Sequence, residues 1–282
     1  MSETLKKAAI TGHPVSQSRS PMVHGYWLKK HGLAGEYGRI DVPPEEAEAF
    51  YRNFAGSGLS GANVTVPHKE VAAASCDWLD DAARSMGAAN TLWLDDAGKL
   101  CGANTDGLGF LGNLDQLAPG WDVSRESAVV LGAGGAARAV VWALLSRKFT
   151  TVHIVNRTFE KAKAIADMFG PGTIAHEWDK LGTVLGEADL LVNTTSLGMA
   201  GKAPLDIDLS PLPRSALVTD AVYVPLETDL LRQARARGNR TVDGLGMLLH
   251  QAVPAFERWF GVRPEVDDDL RKLILEDLGV TA

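Results

Sequence analysis

The feature that most constrains the fold of this chain is a glycine-rich turn between an apolar segment and a helical pattern. Residues 128–131 predict a short buried strand and residues 135–146 a helix, and the intervening Gly132-Ala133-Gly134-Gly135-Ala136-Ala137 fits GxGxxA. Glycines let the backbone approach a pyrophosphate, whose charge the helix N–H groups accept. Thr194 and Ser196 follow a further apolar strand, on the edge where open α/β sheets bind ligands. These features predict a Rossmann-like dinucleotide-binding unit, with ordinary turns as the alternative.

The residues that follow the next predicted strand bear on the choice of cofactor. That strand, 151–155, ends at Asn156-Arg157-Thr158, about 20 residues beyond the glycine-rich turn. Enzymes that use NAD place an acidic residue there for the ribose 2′-hydroxyl. Arg157 instead offers a planar fork of donors and Thr158 a hydroxyl, which suit a 2′-phosphate. The sequence therefore predicts NADP, with a solvated arginine at a strand end as the alternative.

Length and composition limit the remaining possibilities. A chain of 282 residues is long enough for two domains. Its formal net charge of −7 argues against nucleic acid or an anionic membrane as the main partner. Cys76 and Cys101 lack the spacing of a metal site, so we expect two thiols in a reducing compartment and no metal. No segment has the pattern of a signal peptide or a transmembrane helix, which predicts a cytoplasmic protein.

Strand and helix patterns alternate along the chain, which predicts an α/β fold with largely parallel sheets. In the first third they predict strands at 7–12 and 61–66, helices at 21–31 and 45–54, and a β-hairpin of 91–94 with 99–102. Beyond it they predict helices at 108–117, 135–146 and 158–169, strands at 128–131, 151–155, 190–193 and 217–220, and closing helices at 247–259, interrupted at Pro254, and at 267–278. The turn-rich stretch 118–127 is the predicted linker.

Two serines ahead of the first predicted helix are candidate ligands of an anion. Ser18 and Ser20 precede Pro21, so Ser20 is the predicted N-cap and Pro21 the first helical residue. Hydroxyls at a helix N-terminus can bind a carboxylate. The alternative is that the serines only cap the helix.

A second group of polar residues lies on and after the predicted strand 61–66. Alternation places Asn63 and Thr65 on one face of that strand. Pro67 opens the next predicted helix, and Lys69 lies in its first turn, where a cation is unfavourable against the helix dipole. We therefore expect an anionic partner or a functional role for Lys69, and Asp106 is a candidate for that partner.

Eight short motifs give the chain a specific resemblance to the shikimate dehydrogenase family. In order, they are GxPVxxSxSP, NVTVPHK, GAANT, NTDGxG, GAGGAARA, NRT, NTTSLGM and DGLGMLLHQA. The resemblance implies an N-terminal α/β substrate domain at 1–105, a Rossmann-like NADP domain at 106–243, and C-terminal helices at 244–282 that pack back on the substrate domain. It also implies reduction of 3-dehydroshikimate to shikimate, in aromatic amino-acid biosynthesis, by a monomer or a homodimer.

The same resemblance implies roles for individual residues. Lys69 and Asp106 would be the catalytic pair, and Ser18 and Ser20 would bind the substrate carboxylate. The implied ligands of the ring hydroxyls are Asn63, Thr65, Asn90, Asp106 and Gln251, with Tyr223 near the substrate. The implied cofactor-binding residues are Gly132, Ala133, Gly134, Gly135, Ala136, Asn156, Arg157, Thr158, Thr194, Ser196, Gly244 and Met247. One departure is Gln17, which stands where many members have histidine, so the hydrogen bonding of that loop stays open.

The implied chemistry is the reduction of a carbonyl group. NADPH supplies the hydride, and the carbonyl oxygen that gains charge needs a proton. A lysine ammonium carries a proton at pH 7, so Lys69 can donate it while Asp106 orients the lysine, and which of the two titrates as the kinetic base stays open. Two rival functions also stay open: a quinate or dual quinate/shikimate dehydrogenase, and a dinucleotide-binding regulator without turnover, against which Lys69 and Asp106 argue.

Overall fold

Helices and strands alternate along most of the chain in the computed structural model, which describes residues 5–280. In chain order they are β1 (Lys6–Gly12), α1 (Ser20–Lys30), β2 (Gly35–Asp41), α2 (Ala47–Arg52), β3 (Gly61–Val64), α3 (Lys69–Ala74), β4 (Trp78–Leu79), α4 (Asp81–Met86), β5 (Thr91–Leu94), β6 (Leu100–Ala103), α5 (Asp106–Leu117), β7 (Ser127–Leu131), α6 (Gly135–Ser146), β8 (Thr151–Val155), α7 (Phe159–Phe169), β9 (Thr173–His176), α8 (Leu181–Leu185), β10 (Leu190–Asn193), β11 (Leu217–Asp220), α9 (Asp229–Ala236), β12 (Arg240–Val242), α10 (Leu245–His250), α11 (Ala252–Phe260) and α12 (Asp268–Asp277). They form two compact units: the first unit comprises residues 5–105 and 251–280, and the second unit residues 106–250.

The first unit contains a six-stranded mixed sheet in the order β2-β1-β3-β5-β6-β4. Strand β1 is parallel to β2 and β3, whereas β5 is antiparallel to β3 and to β6, which confirms the predicted hairpin. Because β5 runs opposite to its neighbours, its first residue lies at the edge where β1, β3 and β6 end. We call this edge, with the loops that leave it, the polar edge of the first unit.

Helices cover both faces of this sheet. On one face, α2 and the following 3-10 turn contribute the buried Tyr51 and Phe54 to a hydrophobic core. On the other face, α11 comes from the end of the chain and packs so closely that a Cβ atom at Gly61 would lie 1.8 Å from Trp259 Nε1. The same indole nitrogen donates to Leu92 O at 3.0 Å. The C-terminal helix α11 is therefore part of the first unit.

The second unit contains a wholly parallel sheet in the order β12-β11-β10-β7-β8-β9. Every residue of β7 is buried, as expected of a strand with helices on both faces of its sheet. The chain starts at β7 in the middle, moves outward to β9, and then returns to β10 on the other side of β7. This is the doubly wound order of dinucleotide-binding folds, whose ligands bind at the switch point between the two central strands. The predicted Rossmann-like unit is confirmed.

Two predicted boundaries are wrong. The second division of the chain falls after His250 rather than at 243/244, because α10 packs against α5 within the second unit. The approach is close, since a Cβ atom at Gly246 would lie 1.8 Å from Asn113 Oδ1. The predicted linker 118–127 lies inside the second unit, where Trp121 is buried and its ring stacks on that of Phe149 at 5.8 Å.

The predicted roles of two prolines, Pro67 and Pro254, and the predicted end of β3 are also wrong. Strand β3 ends at Val64 instead of residue 66, and α3 begins at Lys69, so Pro67 precedes the helix. The closing helical segment breaks at Gln251, between α10 and α11, and not at Pro254. Pro254 lies in the first turn of α11, where a helix needs no backbone donor.

The two cysteines are free thiols in the first unit. Burial raises the pKa of Cys76 to about 12, so this thiol stays protonated near neutral pH. Between residues 5 and 280, no group of three or more His, Cys, Asp and Glu side chains could hold a metal ion. Over the same residues, no helix combines the length and apolar character needed to cross a membrane.

Candidate active site

A cavity of about 380 Å³ lies at the carboxyl ends of β7, β8 and β10 in the second unit. Its position is the switch point of the sheet, where a doubly wound fold binds its ligand. The lining includes the predicted residues Gly132, Ala133, Gly134, Asn156, Arg157, Thr158, Thr194 and Ser196, together with Lys161, Trp178, Thr195 and Leu197. Gly135 and Ala136 are the first two residues of α6 and stand next to this lining in the chain. The structure therefore brings most of the predicted cofactor residues into one cavity.

The glycine-rich turn leaves room for a phosphate group. Gly132 has a φ of +107°, and a Cβ atom there would lie 2.8 Å from Thr194 Oγ1, so a side chain would obstruct the turn. Cβ atoms at Gly134 and Gly135 would meet nothing within 4 Å. Among the described side chains, none caps α6, whose first N–H groups are thus available to an anion. These features fit the pyrophosphate of a dinucleotide.

Two cations line the same cavity. Arg157 follows β8, and Lys161 lies in the first turn of α7, where its backbone N–H donates to Thr158 O at 3.1 Å. Both side chains are exposed, and no carboxylate of the described residues forms an ion pair with either or lines the cavity. This donor set fits a 2′-phosphate and disfavours a free ribose diol. The sequence signal for Lys161 is a cation in a first helical turn, the same signal that identified Lys69.

A buried asparagine shapes the loop that carries Thr194 and Ser196. Asn193, the last residue of β10, accepts hydrogen bonds at Oδ1 from Thr195 N (3.0 Å) and Thr195 Oγ1 (2.8 Å). Its Nδ2 donates to Asp220 Oδ1 at 2.9 Å. The Asn193 side chain therefore fixes one wall of the cavity without lining it.

Asp220, the last residue of β11, ties together three segments near this wall. Besides the Asn193 amide, its carboxylate accepts from Val222 N (3.0 Å) and from Thr228 Oγ1 (2.7 Å). Val222 precedes the half-exposed Tyr223, and a Cβ atom at Gly244 would lie 2.6 Å from Asp220 O. Burial raises the pKa of Asp220 to about 6, although its three donors oppose that shift. The predicted residues Tyr223 and Gly244 are thus positioned around a buried carboxylate.

The raised pKa of Asp220 predicts a pH-dependent stability. Its folded-state value, about 6, exceeds the ordinary aspartate value, so the folded protein binds the proton more tightly than the unfolded chain does. The contribution of Asp220 is then most favourable below about pH 4 and is lost as the pH rises through the folded-state pKa. The difference between a pKa of about 6 and the ordinary aspartate pKa of about 4 corresponds to about 3 kcal/mol.

Asp220→Asn should remove this dependence. We expect the free energy of unfolding of the wild type, relative to that of Asp220→Asn, to fall by about 3 kcal/mol between about pH 4 and pH 7. Urea unfolding of both proteins across this range measures it, with the exposed Asp206→Asn as the control. A constant difference between wild type and Asp220→Asn at all pH values would contradict the prediction.

In the first unit, the serine pair, Ser18 and Ser20, lies where the loop that follows β1 enters α1. The two hydroxyl oxygens are 3.3 Å apart, and Ser20 N donates to Ser18 Oγ at 3.3 Å. The prediction that Ser20 is the N-cap of α1 is wrong. Ser20 is the first residue of α1, and Arg19 occupies the cap position. The loop is held by Arg39, which donates to Ser18 O at 2.7 Å, and by Asp41, which accepts from Val15 N. The serine pair is therefore a fixed pair of hydroxyls at the polar edge.

The two predicted asparagines meet at the same edge. Asn63 is buried, and its Nδ2 donates to Asn90 O at 3.2 Å. Asn90 Oδ1 accepts from Thr105 N at 2.9 Å. The hydroxyl of Thr105 lies 2.8 Å from Gln251 O, at the start of α11. The structure therefore brings Asn63, Asn90 and Gln251 together, and Thr105 is the link between Asn90 and Gln251. Thr105 lies inside the NTDG motif, but this role was not predicted from the sequence.

Lys69 and Thr65 complete the polar edge. Thr65 is half-buried in the loop after β3, and the half-buried Lys69 is the first residue of α3. The backbone oxygen of Lys69 accepts from Ala89 N at 2.9 Å, which joins the start of α3 to the segment that carries Asn90. Asp106 is the half-buried first residue of α5, in the second unit.

The predicted site residues thus divide between the two units. The first unit holds Ser18, Ser20, Asn63, Thr65, Lys69, Asn90 and Gln251, whereas the second holds Asp106, Tyr223 and all the predicted cofactor residues. Met247 is partly buried and packs against the hydrophobic core of the second unit, and neither it nor Gly244 lines the cavity of about 380 Å³.

The order of the parallel sheet, the open glycine turn and the basic cavity define a dinucleotide-binding protein of the Rossmann class. The shikimate dehydrogenase (NADP(+)) of Azorhizobium caulinodans is 60% identical to this chain over 274 residues, which are 97% of each protein. That of Chelativorans sp. is 56% identical over 278 residues, 99% of each. The chain belongs to the shikimate dehydrogenase family.

Family models and solved structures agree with this assignment. The models of the shikimate dehydrogenase substrate binding domain, of shikimate/quinate 5-dehydrogenase and of the shikimate 5′-dehydrogenase C-terminal domain match residues 10–92, 115–199 and 244–273. The shikimate 5-dehydrogenase of Thermus thermophilus, solved with NADP(H) and shikimate, has a TM-score of 0.84 and 35% identity, covering 97% of this chain and 100% of that one. The quinate dehydrogenase of Corynebacterium glutamicum, solved with NAD, has a TM-score of 0.89 and 30% identity, covering 96% and 99%.

Proposed function

We propose that this chain is an NADP-dependent shikimate dehydrogenase that interconverts 3-dehydroshikimate and shikimate. The observation that carries the proposal is the cavity at the switch point of the second unit, which is lined by Arg157 and Lys161 and by no carboxylate of the described residues. A cavity of this kind suits a dinucleotide with a 2′-phosphate. The relatives at 60% and 56% identity, both named shikimate dehydrogenase (NADP(+)), support the same substrate and cofactor.

The polar edge of the first unit supplies the donors and acceptors that a hydroxylated cyclic carboxylate needs. In this proposal the serine pair binds the carboxylate, because hydroxyl donors suit an anion. The side chains proposed to bind the ring hydroxyls are those of Asn63, Thr65, Asn90, Asp106 and Gln251, and Tyr223 is proposed to lie near the substrate. Amide and hydroxyl side chains both donate and accept, which suits hydroxyl groups.

Lys69 and Asp106 are the proposed catalytic residues. When bound, NADPH supplies the hydride for carbonyl reduction. Lys69 donates a hydrogen bond and then a proton to the carbonyl oxygen, which stabilises the charge that develops there. Asp106 holds the substrate hydroxyl. In the reverse direction the same two groups remove the proton from the alcohol.

A second candidate, quinate oxidation, is favoured by the TM-score of 0.89 to a quinate dehydrogenase solved with NAD. The two candidates are separated by kcat/KM for shikimate and for quinate, each measured with NADP and with NAD. We expect the highest value for shikimate with NADP. A higher value for quinate, or for NAD, would overturn the proposal, and NADPH binding without turnover of either substrate would indicate a regulatory protein instead.

We also propose that the protein acts in the cytoplasm. Its two cysteines, Cys76 and Cys101, are free thiols, which is typical of a reducing compartment. The family resemblance allows a monomer or a homodimer, and sedimentation of the purified protein at several concentrations distinguishes the two.

A further inference from the structure

Tyr37, near the middle of β2, has no role in the proposed reaction, yet its phenol contacts a proposed substrate ligand. The register of β1 places Ala8 opposite Tyr37 and Ile10 opposite Asn63. Because paired residues and alternate residues of a strand share a face, the side chains of Tyr37 and Asn63 lie on the same face of the sheet. The ring of Tyr37 crosses β1, and its phenol oxygen lies 2.7 Å from Asn63 Oδ1.

The hydrogen bonds around this phenol have a defined direction. Removal from water raises the pKa of Tyr37 well above its usual range, so the phenol keeps its proton and donates it to Asn63 Oδ1. The Tyr37 phenol therefore joins β2 to the Asn63 amide across β1.

The phenol also selects one of the two orientations of the Asn63 amide. With Oδ1 bound to Tyr37, Nδ2 faces Asn90 O at 3.2 Å and Thr91 Oγ1 at 3.3 Å. An exchange of the amide oxygen and nitrogen would place an NH₂ group against a phenol that already donates in that direction. It would also turn the amide oxygen toward the carbonyl oxygen of Asn90, and two acceptors cannot form a hydrogen bond with each other.

An aromatic cluster holds the tyrosine ring in place. The ring of His24, from α1, stacks on that of Tyr37 at 4.1 Å with an angle of 5° between the planes. His24 is wholly buried, and burial lowers its pKa to about 3, so the imidazole in this stack is neutral near pH 7. The indole of Trp259, from α11, lies 6.1 Å from the Tyr37 ring. Removal of the phenol oxygen alone would leave these ring contacts intact.

We propose that Tyr37 is a positioning residue for substrate recognition, which orients the Asn63 amide. It acts on the ground-state fit of a hydroxylated cyclic carboxylate and not on proton transfer. The inference rests on the proposed function, because Asn63 is a proposed ligand of shikimate. Its effect should therefore appear in the KM for shikimate and depend on the presence of the Asn63 amide.

The test compares Tyr37→Phe, Asn63→Ala and the double variant with the wild type. We expect Tyr37→Phe to raise the KM for shikimate about 10-fold, the effect of one lost hydrogen bond to a buried polar group, with kcat and the KM for NADP unchanged. Asn63→Ala should raise the same KM, and adding Tyr37→Phe to it should have no further effect. Tyr51→Phe is the matched control, because Tyr51 is a buried tyrosine of the same unit whose hydroxyl contacts Thr11 Oγ1 at 2.9 Å. Its KM for shikimate should equal that of the wild type.

Thermal unfolding midpoints separate positioning from a purely structural role. If Tyr37→Phe lowers the midpoint and leaves the KM for shikimate unchanged while Asn63→Ala raises it, the positioning role is refuted and the proposed function stands. If the two substitutions raise the KM independently, Tyr37 does not act through Asn63, which also overturns the inference. If Asn63→Ala leaves the KM unchanged, the assignment of Asn63 as a ligand fails and the inference fails with it.

Discussion

Replacement of Lys69 by alanine is expected to lower kcat for shikimate oxidation about 10²–10⁴-fold with little change in KM. The reason is that Lys69, the first residue of α3, acts on a proton that moves only in the transition state, whereas the substrate contacts of the polar edge remain. Steady-state kinetics with saturating NADP measures the effect. Lys29→Ala is the control, because Lys29 is an exposed lysine in the last turn of α1.

Two further measurements distinguish a loss of catalysis from a loss of cofactor binding or of folding. Fluorescence titration should show that Lys69→Ala binds NADPH like the wild type, because the dinucleotide cavity lies in the second unit. An unchanged thermal midpoint should show that the first unit is folded. A folded Lys69→Ala protein with a near-normal kcat would exclude Lys69 as the proton donor, and the proposed chemistry would then need another acid.

The parts of the fold that were predicted accurately are those with strong local signals. Strand β8 and helix α6 have the predicted bounds, because a short apolar strand and a long helical run of apolar residues are each marked by their own residues. The glycine turn between β7 and α6 was found for the same reason. Its place beside Thr194 comes from the pairing of β10 with β7, which no local pattern specifies.

Strand β2 shows why other elements were missed. Its sequence, GEYGRID, has two glycines and three charged residues and shows no clear alternation, and most of its side chains are exposed or half-buried. It becomes a strand through its pairing with β1, which is a long-range contact. Because the strand was missed, so was Tyr37, whose importance depends on a phenol that reaches across β1 to Asn63.

The candidate site divides in the same way. Residues in short polar motifs, such as Asn63 and Arg157, were predicted because the residue types of the motif indicate which groups they can bind. Asn193 and Asp220 were not, since their function in the structure is to bond other parts of the site and depends on partners distant in sequence. The sequence therefore identifies side chains that can contact a ligand more readily than side chains that position those ligand-binding residues.

Removal of both cations from the dinucleotide cavity should abolish most of the preference for NADP. Arg157 and Lys161 are exposed, so screening limits each to about 1–2 kcal/mol, and the single variant Arg157→Ala should lose about 5- to 30-fold in kcat/KM for NADP. We expect Arg157→Ala/Lys161→Ala to lose about 100-fold, if the two contributions add. Activity with NAD should stay close to that of the wild type, because NAD has no 2′-phosphate for these cations to bind.

The matched control for the double variant lies on the same helix. Lys163→Ala removes a lysine of α7 that forms an ion pair with Asp167 at 2.5 Å and does not line the cavity, so its kinetics with NADP should equal those of the wild type. Raising the ionic strength should reduce the difference between wild type and double variant, since salt screens exposed charges from a phosphate. The loss with NADP must also exceed the loss with NAD. Equal losses with both cofactors would show that Arg157 and Lys161 shape the cavity rather than recognise the 2′-phosphate, and a wild type that prefers NAD would remove the basis for NADP dependence altogether.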